Sequence, residues 1–175
     1  MEIFALPDEV EVLIAPHVRK TLLLDTNLLV LLMLGSINPR LIGIGALNAF
    51  ELRDYVALSL ICAKFPLLVT TPHVLTEACH LADKDIKRDP MRSLLYQWLL
   101  TYSANADERT VPFKELTLPN LTKIGVADAV LQELCVDDQY LLSDYGLRAI
   151  RHHLAAKQQR AEFQSRQRHV VLGKV

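Results

Sequence analysis

The sequence predicts an α/β protein, a three-layer α/β/α arrangement around a central parallel sheet, and three observations predict it. Short apolar runs recur at residues 21–24, 67–70 and 140–142, each continuous rather than alternating, which is the pattern of strands buried on both faces. Segments of helical character separate these runs, so successive strands are joined by helical crossovers. The chain has 175 residues, 51% of them hydrophobic, enough for one domain around one sizeable core. It shows no internal repeat and no domain boundary.

Each element follows from local signals. Residues 1–20 mix acids with Val, Ile and Leu and end in Pro16-His17, a leading segment without a clear period. The strand at 21–24 leads into a helix over 26–34, which Gly35 is expected to stop. Residues 36–45, with Asn38-Pro39 and two glycines, read as a loop, and a helix over 46–64 ends before Pro66. A second strand at 67–70 runs into Thr71-Pro72, where Thr as N-cap and Pro at the first helical position announce a helix. Asp89-Pro90 repeats that signal for a helix through residue 102. Residues 103–120 read as a loop with a short extended piece near Val111. A helix over 122–135, a turn at Asp137-Asp138, a third strand at 140–142, a basic helix over 147–164 and an edge strand at 169–172 complete the chain. One domain therefore spans 1–175, with its core at about 20–150 and the basic helix and edge strand at about 147–175.

Charge is unevenly spread. The net charge is −1, yet residues 148–175 hold seven Lys or Arg against the single acid Glu162, a local +6 that leaves −7 on the remainder. An acidic body with a basic C-terminal segment suits a metal site beside a polyanion-binding surface, and suits equally a solvated basic helix. Cys62, Cys79 and Cys135 are isolated thiols without C-x-x-C spacing, which argues against a disulfide framework or structural zinc and for a reducing cytoplasm. The first residues carry acids and no charged segment leading into an apolar one, so no signal peptide is expected, and the most apolar stretch, residues 28–34, is too short to span a bilayer. No membrane partner is expected.

Four carboxylates stand out. Asp25 and Asp144 close apolar strands, at the ends where open α/β sheets place their sites. Asp25 also reads as a helix N-cap, and the two roles can coexist. Glu77 lies three residues after Val74 and four before Leu81, and Asp128 lies between Ile124 and Leu131 in the run Val126-Ala127-Asp128-Ala129-Val130. The i,i+3 and i,i+4 relations place Glu77 on the core side of its helix or at the margin of that side, and point Asp128 inward. A buried charge without a partner is expensive, so one shared divalent cation would account for all four. Three have an ordinary alternative, a cap for Asp25, a solvated helical acid for Glu77 and a turn cap for Asp144, while Asp128 without a cation would have to take up a proton or find a basic partner, of which only Lys123 lies within a turn. His80, one turn beyond Glu77, reads as a possible partner or as surface, and Asp137 and Asp138 as turn acids. Ligands that offer oxygen alone favour Mg²⁺ or Mn²⁺ over zinc.

The pieces Leu23-Leu24-Asp25-Thr26-Asn27, Thr71-Pro72-His73-Val74-Leu75-Thr76-Glu77, Gly125-Val126-Ala127-Asp128-Ala129 and Leu141-Leu142-Ser143-Asp144 resemble, in order and approximate separation, the motifs of the PIN-domain nucleases. The resemblance covers roughly residues 20–150. It implies a PIN-like fold, Asp25, Glu77, Asp128 and Asp144 as a metal-binding acidic quartet, and Asn27 and Ser143 as orienting neighbours. It also implies an endoribonuclease whose products carry 5′-phosphate and 3′-hydroxyl ends, of a kind that includes toxins held by antitoxin proteins. The segment between Asp25 and Glu77 is longer than in compact toxin members.

On that basis the expected activity is Mg²⁺- or Mn²⁺-dependent hydrolysis of RNA, with DNA left open as a substrate. Asp25, Asp128 and Asp144 would hold the metal, and Glu77 would complete the site or orient the attacking water. Arg148, Arg151, Lys157 and Arg160, at helical spacing, are candidates for sequence-independent phosphate contacts. The helix over 46–64 could supply a homodimer face. Two other readings compete: a non-catalytic PIN-like module that binds RNA or protein, and a phosphatase with Asp25 as nucleophile. The latter chemistry normally wants a second acid two positions on, where this chain has Asn27.

Overall fold

The computed structural model describes residues 6, 8–86, 89–116, 122, 125–135, 139–143 and 146–147. Its centre is strand β1 (Thr21–Leu24), whose Leu22, Leu23 and Leu24 are all fully buried. Successive residues of a strand point to opposite faces, so burial of three in a row means that both faces are covered. Parallel to β1 lie β2 (Leu68–Thr70), with Leu22 opposite Leu68, and β4 (Gln139–Leu142), with Leu24 opposite Leu142. Strand β3 (Asp107–Glu108) extends β2, also in parallel, giving the order β3-β2-β1-β4. Helices flank this sheet in a three-layer α/β/α fold.

The leading segment contains α1 (Asp8–Ile14), which buries Val10 and Ile14. The turn after it lays the His17 ring on Tyr140 of β4, at 4.5 Å between centroids, and Phe65 also stacks on Tyr140, at 5.7 Å. Helix α2 (Thr26–Ile37) is buried from Leu28 through Gly35 without a polar face, so it is a core helix rather than an amphipathic one. It packs on α3 (Leu52–Cys62), α4 (Pro72–Asp85) and α5 (Asp89–Asn105).

Gly35 does not stop α2, contrary to expectation. A Cβ at that position would lie 2.5 Å from Cδ2 of Tyr55, so the glycine lets α2 and α3 approach. The helix ends at Asn38, whose side chain accepts from the Arg40 N–H and opens a short 3-10 turn, Pro39–Leu41. A second 3-10 turn, Gly45–Leu47, follows, so α3 starts at Leu52 rather than at residue 46. The start signal is a capping box: Glu51 accepts from the Asp54 N–H, and Asp54 accepts from the Glu51 N–H at 2.7 Å.

Helix α4 begins where Thr71-Pro72 announced it, with Thr71 Oγ1 accepting from the Val74 N–H at 3.2 Å. Its buried stripe is Val74, Ala78 and Ala82. Helix α5 continues three residues beyond residue 102 and buries Leu95, Leu99 and Tyr102 at helical spacing. The expected loop after it holds β3, secured by the Arg109 N–H to Thr70 O at 2.9 Å. Val111 is not in a strand; it packs with Leu116 against Ala129 and Val130 of α6 (Val126–Leu134). That helix begins after Gly125, whose φ of +86° is a conformation glycine adopts without steric cost.

Nearly all of the proposed basic helix, the proposed strand at 169–172 and the Asp137-Asp138 turn lie outside the described residues. All three cysteines are free thiols. Among the described residues, no helix is long and apolar enough to cross a membrane.

Candidate functional site

Strands β1 and β4 end side by side, with Leu24 paired to Leu142, so the next residues, Asp25 and Ser143, emerge from adjoining strands at the carboxyl edge of the sheet. A cavity of about 330 Å³ opens there. It is lined by Asp25, Thr26 and Asn27 from the β1–α2 junction, Glu77 from α4, Gly125, Val126, Ala127, Asp128, Leu131 and Gln132 from α6, and Leu141 and Ser143 from β4 and its end. Carboxylates from three elements distant in sequence thus border one space, and no Lys or Arg is among these lining residues. Such a concentration of negative charge attracts cations and repels a bare polyanion.

Asp25 is 8% exposed and held at three atoms. Its N–H donates to Leu142 O at 3.1 Å, its carbonyl accepts from the Leu29 N–H at 3.0 Å, and its Oδ1 accepts from the Leu28 N–H at 2.9 Å. The helix-cap reading of this residue holds, and the same residue faces the cavity. Asn27 is exposed on the first turn of α2, and Ser143 accepts the Gly146 N–H on its Oγ at 3.1 Å.

The inward placement of Asp128 is corrected, and of the two places expected for Glu77 the structure gives the margin rather than the core side. Both are exposed, although both line the cavity. Glu77 stands at the margin of the α4 stripe, beside buried Ala78, and its Oε2 accepts from Thr26 Oγ1 at 2.8 Å. Asp128 lies in the first turn of α6, whose buried residues are Ala127, Ala129, Val130 and Leu131. An acid in that turn is favoured by the unsatisfied N–H groups of the helix start. The cost of burying charge therefore does not explain why these two are acids; their shared cavity is what relates them to Asp25.

Among the described residues, no three His, Cys, Asp or Glu side chains come together as a group able to hold a metal ion. The fourth expected acid, Asp144, lies outside the described residues, as do Arg148, Arg151, Lys157 and Arg160. His80 is exposed and does not line the cavity.

Two polar lining residues were missed from sequence, Thr26 and Gln132. Gln132 is four residues after Asp128, and that i,i+4 relation was the available signal. Thr26 was hidden by its place inside the Asp-Thr-Asn motif, where the flanking residues drew the roles. The apolar side of the cavity is Val126, Ala127, Leu131 and Leu141.

Neither of the two thiols nearest the core competes as a nucleophile. Burial pushes the Cys62 thiol up to about 12. Burial, with the Asp83 carboxylate beside it, raises that of Cys79. A raised thiol is a poor source of thiolate.

No family model, no curated protein and no solved structure matches the chain.

Proposed function

We propose that the chain is a metal-dependent nuclease of the PIN-domain kind, hydrolysing phosphodiester bonds in RNA. One observation carries the reading: Asp25, Glu77 and Asp128, from three separate elements, line one cavity at the carboxyl edge of a parallel sheet, where open α/β folds place their ligands. Their oxygens, with the Asn27 amide and the Ser143 hydroxyl, are hard donors of the kind Mg²⁺ or Mn²⁺ prefers, and Asp144 would have to complete the set. In this reading Asp25, Asp128 and Asp144 hold the ion, and Glu77 completes the site. When bound, such an ion supplies hydroxide near neutral pH and neutralises charge on the phosphoryl oxygens.

The chain's own residues supply the rest. Asp25 presents its carboxylate from a backbone fixed by two strands and a helix start. Glu77 orients the attacking water, while Asn27 and Ser143 offer hydrogen bonds to the phosphate. Leu131, Val126 and Leu141 give the nucleotide an apolar wall, and Arg148, Arg151, Lys157 and Arg160 contact phosphates along the strand. Cleavage leaves 5′-phosphate and 3′-hydroxyl ends. An antitoxin protein and a second copy of the chain are the partners this reading allows.

The test is incubation with mixed RNA and with single-stranded DNA, with and without Mn²⁺, beside Asp25→Asn. Cleavage that needs Mn²⁺ and vanishes in Asp25→Asn supports the reading; undiminished cleavage by Asp25→Asn overturns it. Millimolar Mg²⁺ or Mn²⁺ should also raise Tm, since an ion present at a hundred times its Kd stabilises the fold by about 2.7 kcal/mol.

A second reading, a non-catalytic module binding RNA or protein, has the exposure of Glu77 and Asp128 in its favour, because solvated acids need no metal. RNA binding without cleavage in that assay would select it.

A further inference from the structure

We propose that Thr26 is a positioning residue of this site, acting through Glu77; the inference rests on the nuclease reading above. Thr26 is the first residue of α2 and 6% exposed, and its Oγ1 donates to Glu77 Oε2 at 2.8 Å across 51 residues of sequence. A hydroxyl donating to an ionised carboxylate makes a charge-assisted bond, stronger than one between neutral groups.

The two ends of that bond differ in freedom. Thr26 follows Asp25, whose N–H is bonded to Leu142 O and whose Oδ1 receives the Leu28 N–H, so the hydroxyl starts from fixed backbone. Glu77 is exposed on α4 and carries a long side chain that loses much rotamer freedom on being ordered. The hydroxyl has one proton to give and engages Oε2, which leaves Oε1 for a ligand in the cavity. Thr26 therefore sets the Glu77 carboxylate relative to that of Asp25, its immediate neighbour in the chain. Without the donor, Glu77 stays in place on its helix but its carboxylate wanders.

The experiment measures Mn²⁺ affinity by calorimetry, and kcat and KM separately on single-stranded RNA. It compares wild type, Thr26→Val, Thr26→Ala, Thr26→Ser, Glu77→Ala and the double variant Thr26→Val/Glu77→Ala. Valine keeps the shape and removes the donor, alanine removes the donor without a branched replacement, and serine keeps the donor. Residues that orient metal ligands typically contribute about 10-fold to 100-fold in affinity or activity. A loss of that size in Mn²⁺ affinity and kcat is expected for Thr26→Val and Thr26→Ala, with KM little changed and Thr26→Ser close to wild type. On the Glu77→Ala background, Thr26→Val should add no further loss, the sign of two residues acting as one unit. Donor-less variants that bind Mn²⁺ and cleave like an active wild type overturn the inference alone. So does a Thr26→Val loss repeated in full on the Glu77→Ala background. A wild type that neither binds Mn²⁺ nor cleaves RNA overturns the nuclease reading and the inference with it.

Discussion

Asp25 and Glu77 border the same cavity, yet the molecule holds them in opposite ways. Asp25 belongs to a deeply buried part of the fold, between three fully buried leucines of β1 and a helix without a polar face. Its carboxylate caps that helix, so it takes part in the fold as well as in the site. Glu77, and Asp128 on α6, sit on helix surfaces open to solvent, where an acid could be exchanged with little effect on packing. The contrast separates two ways of building a charged site. One carboxylate is immobilised by backbone; the others are carried to the same rim by helices and oriented by a side chain or a helix start.

The largest effect expected from this contrast is on activity. Asp25→Asn and Asp128→Asn should each remove RNA cleavage by several orders of magnitude while the far-ultraviolet circular dichroism stays that of wild type. Asparagine is as good an N-cap as aspartate, so the Asp25 variant keeps its structural role while losing its charge. Full cleavage by Asp128→Asn with none by Asp25→Asn would break the idea that buried and exposed acids serve one reaction.

Stability should divide along the same line. Leu31→Ala, in the fully buried middle of α2, should cost about 2–5 kcal/mol in urea unfolding, the usual range for truncating a core leucine. Glu77→Ala removes no core packing and only the bond from the Thr26 hydroxyl, so it should cost less, about 0.5–1.5 kcal/mol. A smaller core effect is expected at Gly35→Ala. The added methyl would meet the Tyr55 ring at 2.5 Å, and overpacking of this kind costs about 1–3 kcal/mol, more than the roughly 1 kcal/mol that alanine gains in helix propensity. Adding Tyr55→Ala should relieve the strain of the methyl. A Gly35→Ala protein as stable as wild type would show that α2 and α3 are not held at close approach.

Gly35 also shows where the sequence stops being legible. As a local signal it reads as a helix stop, and nothing within its own turn reveals that Tyr55, twenty residues on, occupies the space a side chain would need. The same limit hid β3, two acidic residues that are a strand because the edge of β2 accepts them, and it misled the burial of Asp128 and left Glu77 open between core side and margin. Helical periodicity places a residue on a face, but whether that face meets the core or a cavity depends on what packs above it. Signals contained within a few residues were legible: the buried run of β1, the Thr71-Pro72 start of α4, and the cap at Asp25. The capping box at Glu51 and Asp54 was equally local and lay behind a misplaced helix start. The strand-end position of Asp25 held, whereas for Glu77 and Asp128 the helical period led to the wall of a cavity and not to a buried core.

The smallest effect sharpens the comparison at Asp25 itself. Its Oδ1 receives the Leu28 N–H at 2.9 Å, one of the backbone donors that a helix start leaves without an intrahelical acceptor. Asp25→Ala removes that acceptor inside a buried setting and should lower unfolding stability by about 0.5–2 kcal/mol, whereas Asp25→Asn retains an oxygen for the bond and should lower it by far less. Both variants lose the charge, so both should lose cleavage. The difference between them, read by urea unfolding in the absence of divalent ions, isolates the structural part of one side chain from its chemical part. Equal stability of the two would mean that the cap contributes nothing. The side chain would then add nothing to the hold of the backbone on Asp25, and the distinction between the two kinds of carboxylate would collapse.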